Sequence, residues 1–364
     1  MAKYKINRRA ILTDSDGTRD LIAESLVHTG TFTATNTIDS LPSDYFSNYF
    51  DFAFQGSTSG YTSGGSAPSI GSLDHKNIIQ KFPFSSDANA TDVGDLVSPR
   101  AHASGQSSKN HGYSSGGNRE PPSFGQFDNI IEKFPFSSDD NATDVGDLTQ
   151  KREKSAGQSS AFHGYASSGG GASPTTTYYT TVDKFPFGSD TNATDVGDLT
   201  VARSSAGGQS SPTHGYTSGG RIFNYGPFAP TVEYKNDIDK FPFSVDAANA
   251  TDVGDLTSTE MGMGQSSTTH GYHTGGATSP YNNIINKFPF SSDANATDIG
   301  DLTVKRFHGA GQSSTTHGYT SGGAFPPYSA TRNIIDKFPF TSDTNATDVG
   351  DLTEGLDSLT GQHV

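Results

Sequence analysis

The chain has no cysteine, no tryptophan and only 3 methionines among its 364 residues. Disulfide frameworks, cysteine-ligated zinc and thiol catalysis are therefore excluded. Hydrophobic residues make up 31%, and no apolar run approaches the ~20 residues of a membrane span. The N-terminus has no apolar stretch of the signal-peptide kind, so a soluble protein is expected, with any export taking another route. Basic charge is also scarce, 24 Lys and Arg against 39 Asp and Glu, for a net −15. Binding to nucleic acid needs clustered cations, and Lys3, Lys5, Arg8 and Arg9 are the only such cluster, so none is expected.

Glycine, by contrast, is abundant, at 42 residues beside 18 prolines. A chain of this kind stays disordered or builds its core from small repeated layers. Repetition decides. The tetrapeptide KFPF begins at Lys81, Lys133, Lys184, Lys240, Lys287 and Lys337, at spacings of 52, 51, 56, 47 and 50. A Gly-Tyr pair leading to a diglycine begins at Gly60, Gly112, Gly164, Gly215, Gly271 and Gly318, and Gly-Asp-Leu begins at Gly94, Gly146, Gly197, Gly254, Gly300 and Gly350. Units of this length suit propeller blades rather than helical repeats.

Within a unit, KFPF lies 13 or 14 residues before Gly-Asp-Leu, whereas Gly-Tyr to KFPF varies from 16 to 25. The variable stretch after the diglycine is thus expected to be a loop. Residues 333–340, Asn-Ile-Ile-Asp-Lys-Phe-Pro-Phe, read as a strand ending near its proline. An Asp/Asn-rich turn and a Gly-Asp-Leu strand follow, and 311–323 supplies two short strands around a Thr-Thr-His-Gly turn. Each unit offers about four strands, and KFPF rings at fixed repeat positions are placed to fill the space between sheets. The chain ends with Gly361-Gln362, the start of a further first strand, while Tyr61 opens the first unit without one. Residues near 50–65 and the tail are expected to share one composite blade, closing an all-β, six-bladed β-propeller over 55–364 with a non-repeating arm over 1–54.

The Tyr and diglycine of 319–323, the aromatic third strand, and Arg100, Arg152, Arg203 and Arg306 before the next unit resemble the kelch repeat. The likeness covers 55–364, lacks the kelch tryptophan, and has Glu260 and Leu356 in the other two Arg places. The wording FPFSSDANATDVGDL at 82–96 and GQSSTTHGYTSGG at 311–323 is also similar to repeats in proteins of tailed phages of cyanobacteria and marine bacteria. That resemblance implies a structural part of a virion, in capsid or tail, without chemistry of its own, and transfers no catalytic or binding position. Its implied partners are other virion proteins reached through the arm, with a host-surface glycan or a second copy of the chain as further options. The alternative is a lectin-like propeller module.

Oxygen-rich turns such as Asp87, Asn89, Asp92 and Asp95 can bind calcium, but lack the glycine and closing Glu of an EF-hand and are equally explained as Asx turns. No cofactor is expected, with calcium kept as the exception. His111, His163, His214, His270 and His317 precede Gly-Tyr and read as an ion-binding ring or, in preference, as structural hydrogen-bonders. Recognition is placed on the loop aromatics Phe124, Phe127, Tyr178, Tyr179, Phe223, Tyr225, Phe228, Tyr234, Tyr281, Phe325 and Tyr328, with packing against their own blades as the other reading. In the arm, residues 11–27 suggest one or two helical turns with Leu and Ile on one side, ordered against another subunit, or else an edge strand on the propeller.

Overall fold

A computed structural model describes residues 4–13, 20–28, 55–68, 73–119, 126–171, 177–225, 230–258, 261–276, 281–325 and 330–364. The chain divides into two compact units, Met1–Phe50 and Asp51–Val364. In the first, Tyr4–Thr13 and Asp20–His28 form an antiparallel pair, with Tyr4 opposite His28 and Thr13 opposite Asp20. In the described part of 11–27, residues 11–13 and 20–27, the expected helical turns are therefore corrected to strand pairing. Nine or ten residues are too few for a helix to stand on local propensity, whereas two segments containing Ile6, Ile11, Ile22 and Val27 can satisfy each other's backbone.

The described residues of the second unit contain strands and no α-helix, and six four-stranded antiparallel sheets arranged in a propeller-like way. One sheet shows the pattern. Ser104–Ser107 pairs with His111–Ser115, which pairs with Ile130–Pro135, which pairs with Thr143–Asp147. One sheet is assembled from both ends of the unit. There Thr360–His363 pairs with Ser59–Ser63, with Gly60 opposite His363, and Ile78–Pro83 and Thr91–Asp95 follow.

The repeated residues explain this geometry. Gly112 of the second strand lies opposite Phe134 of the third, and a Cβ on Gly112 would come within 2.3 Å of that ring. The ring therefore lies over bare backbone, a place only glycine can provide. Gly94 has φ +153 and a Cβ there would meet the carbonyl of Asp140 in the adjoining sheet at 2.8 Å, which accounts for the glycine of Gly-Asp-Leu.

The core lies between sheets. The first Phe of each KFPF is at most 2% exposed. The second Phe packs on a Tyr of another sheet at 4.6 to 4.9 Å: Phe136 tilted on Tyr61, and stacked pairs of Phe187 on Tyr113, Phe243 on Tyr165, Phe290 on Tyr216, Phe340 on Tyr272 and Phe84 on Tyr319. Polar bonds follow the same order. The amides of Gln106, Gln158, Gln209, Gln265, Gln312 and Gln362 donate to the carbonyls of Tyr165, Tyr216, Tyr272, Tyr319, Tyr61 and Tyr113 at 2.9 to 3.1 Å.

The stretches after the diglycine are not plain loops, as expected, but in four units carry a short hairpin: Ser66–Pro68 with Leu73–His75, Asn118–Arg119 with Gln126–Phe127, Arg221–Tyr225 with Pro230–Tyr234, and Ala324–Phe325 with Ala330–Thr331. Gly65, Gly117, Gly220 and Gly323 turn the chain into them with φ near +100, and Ser66, Arg221 and Ala324 then bridge to Asp357, Ser204 and Phe307 beside the first strands.

Candidate ligand-binding face

First strands begin, second strands end and the short hairpins emerge on one face, which therefore collects the residues that differ between repeats. Four positions before the Gln of five first strands stand His102, Lys154, Ser205, His308 and Ser358, with left-handed φ of 60, 58, 58, 56 and 55. Their backbones link in sequence, His102 N–H to the Ser358 carbonyl, Lys154 to His102, Ser205 to Lys154 and Ser358 to His308. The side chains converge. The rings of His102 and His308 meet edge to face at 5.1 Å, and Ser358 Oγ lies 3.2 Å from His102 Nε2. A cavity of about 80 Å3 opens among these five residues, and Gly262, three positions before Gln265, also lines it. Burial holds both imidazoles well below the ordinary histidine range, and the cations Lys154 and Arg221 add to the effect. Sequence reasoning missed this group; its one signal was a variable position inside an otherwise repeated segment.

A second cavity of about 130 Å3 adjoins Lys154 and is lined also by Glu153, Tyr178, Arg221 and Phe223. The Tyr178 hydroxyl accepts the Phe223 N–H at 3.1 Å, and the Arg221 guanidinium lies 4.4 Å from the Phe223 ring centre. Of the predicted loop aromatics, the structure brings these two together. Tyr234 and Tyr281 pack instead against Met261, Phe307 and Ala324, with Tyr281 stacked on Phe307 at 5.6 Å. Tyr179 lies under Arg152, and Phe325 under Arg332. Phe127 is half-buried in its hairpin. Tyr225 is described as strand backbone, and Phe124, Phe228 and Tyr328 lie outside the described residues.

On the opposite face the first strands end in an axial ring. The Oγ atoms of Ser159, Ser210, Ser266 and Ser313 accept the N–H of Ser107, Ser159, Ser210 and Ser266, and Ser107 Oγ accepts from His363. The five predicted histidines are not among the residues lining this axial cavity. His111, His163, His214, His270 and His317 each sit 6.4 to 6.5 Å from the Tyr two residues on. Burial lowers the pKa of His111, His214, His270 and His317, the nearby KFPF lysine adding to it.

The oxygen-rich turns have protein partners. Asp87 pairs with Lys337, Asn89 Oδ1 accepts the Asp351 N–H at 3.1 Å, and Asp92 Oδ1 accepts the Gly94 N–H at 3.2 Å. Every unit repeats these three contacts. The motif that suggested calcium thus serves bonding within and between sheets.

Among the described residues no helix is long and apolar enough to cross a membrane. No family model matches the chain, and no curated protein matches it.

Proposed function

We propose that the second unit is a closed six-bladed, kelch-like propeller and that the protein is a non-enzymatic structural component of a phage virion. The observation that carries the closed ring is the Tyr–Phe and Gln–Tyr series, which runs from sheet to sheet and returns from Tyr319 to Phe84 and from Gln312 to Tyr61. A ring leaves the first-strand edges short and protected from unwanted pairing, a property suited to a displayed particle component. The likeness of its repeat wording to phage repeat proteins supports the virion setting. The N-terminal hairpin serves as the attachment element, because two strands alone are marginally stable and gain most from a partner surface. Deleting residues 1–54 tests this. Loss of incorporation into particles, with the propeller still folded, is expected; unchanged incorporation sinks the attachment role.

The second cavity favours one further reading, a carbohydrate-binding propeller. Tyr178 and Phe223 offer ring surface, and Lys154 and Arg221 offer donors, within one 130 Å3 space. Under this reading a glycan array probed with the full chain gives hits that Tyr178→Ala removes. An array without hits counts against it.

A further inference from the structure

The 80 Å3 cavity at the start of the first strands differs from the rest of the molecule in three ways. No carboxylate lines it, although the chain carries a net −15. Two polar atoms of its lining residues, Nε2 of His308 and Oγ of Ser205, are buried with no hydrogen-bond partner in the protein, a cost that a bound ligand relieves. Five non-glycine residues around it hold left-handed backbone, which persists where surrounding structure enforces it and gathers at ligand clamps.

We propose that this cavity binds one tetrahedral oxyanion, phosphate or sulfate, either free or carried as an ester on a larger molecule. The available groups can all donate, each neutral imidazole through one N–H. The Lys154 ammonium gives one N–H to Glu153, which lines the neighbouring cavity and not this one, and keeps two. His102, His308 and Ser205 complete the set. The volume is several times the ~10–15 Å3 that one water needs, so a compact polyatomic ion has room. His75, Arg221, Glu153 and Asp357 are the other charged or titratable groups around the cluster. Burial keeps both imidazoles neutral in the free protein, and an anion beside them favours their protonated form. Asp357, pushed up to about 6 by burial, loses its charge in the same direction. Binding therefore takes up protons and tightens as pH falls.

Titration calorimetry of the full-length protein with sodium sulfate, and separately with inorganic phosphate, tests this against chloride at matched ionic strength. One ion per chain is expected, bound at least tenfold tighter at pH 6 than at pH 8, with proton uptake read from buffers of different ionisation enthalpy. Lys154→Met and His308→Gln each weaken binding tenfold or more. Ser205→Gly, at a left-handed φ of 58 that glycine adopts freely, keeps the fold and weakens binding about threefold. A sulfated saccharide that binds and loses binding in Lys154→Met assigns the ester form. Absence of saturable heat with sulfate, phosphate and the sulfated saccharide overturns the proposal, as does binding that Lys154→Met and His308→Gln leave unchanged.

Discussion

The side-chain amide of Gln312 donates to the carbonyl of Tyr61 at 3.0 Å across 251 positions of sequence, while the equivalent bond from Gln106 to Tyr165 spans 59. The two bonds are chemically the same. Contacts between sheets thus do not depend on whether the partners are neighbours along the chain.

The composite sheet makes the C-terminal residues structural. Removing residues 360–364 deletes a strand and the Gln362 bonds to Ser63 and Tyr113, and exposes the edge of Ser59–Ser63. A loss of at least ~3 kcal/mol is expected from the buried hydrogen bonds alone. Thermal melting and light scattering check it; a monomer with unchanged melting temperature contradicts the role.

Arg152 and Asp183 form a fully buried ion pair, repeated by Arg203 with Asp239 and Arg306 with Asp336. In the composite sheet Leu356 takes the Arg place and Gln80 the acid place, and the Gln80 oxygen accepts from Thr353 as Asp183 accepts from Thr149. In this sheet both charges are absent together. Asp183→Asn, which leaves a buried guanidinium, is expected to cost about 3–5 kcal/mol. The double change Arg152→Leu with Asp183→Gln is expected to cost under about half of that, and denaturant unfolding of the three proteins measures the coupling.

His273 is fully buried, its Nδ1 2.9 Å from Ser218 Oγ, and burial lowers its pKa to about 3. The unfolded chain takes up this proton near pH 6.5, so it binds more protons than the folded chain throughout the window between, and stability falls as pH drops through it. The loss reaches about 2 kcal/mol by pH 5. Other units have Thr62, Thr217 and Thr320 at this place, so His273→Thr is tolerated sterically. It should remove that part of the acid sensitivity; an unaltered slope of stability against pH refutes the assignment. Asp357 acts in the opposite sense, stabilising below about pH 4 and losing that contribution as pH rises through about 6, so the comparison is made variant against parent.

The lysine–aspartate pairs between sheets are exposed on the acid side, Asp246 by 62% and Asp190 by 58%. Lys184→Met is therefore expected to change stability by less than ~1 kcal/mol, and less still in high salt. Because the turn oxygens already serve protein donors, a calcium chelator is expected to leave the melting curve in place, and a downward shift would assign the turns to an ion.

Much of the scaffold is legible in the sequence, because identical residues at fixed spacing meet identical neighbours. The strands around KFPF and Gly-Tyr and the burial of the KFPF rings follow from that. Residues 11–27 do not repeat, and a short mixed run such as Leu21 to Val27 fits either period, so the pairing partner at 4–13 decides it. The cluster of His102 and His308 depends on two residues from distant units crossing an axis, which no local pattern encodes. Tyr234 and Tyr281 look like recognition rings in the sequence, since a ring packed on Phe307 and one facing solvent are the same letter.

The pairing of Ser59–Ser63 with Thr360–His363 also sets a schedule for synthesis. At ~5–20 residues per second the ribosome makes the second of these strands roughly 15 to 60 seconds after the first. Throughout that interval the early strand has an open edge beside a growing series of near-identical first strands, any of which fits it. Correct closure is thus won by Thr360–His363, a strand made late, in competition with every copy made before it.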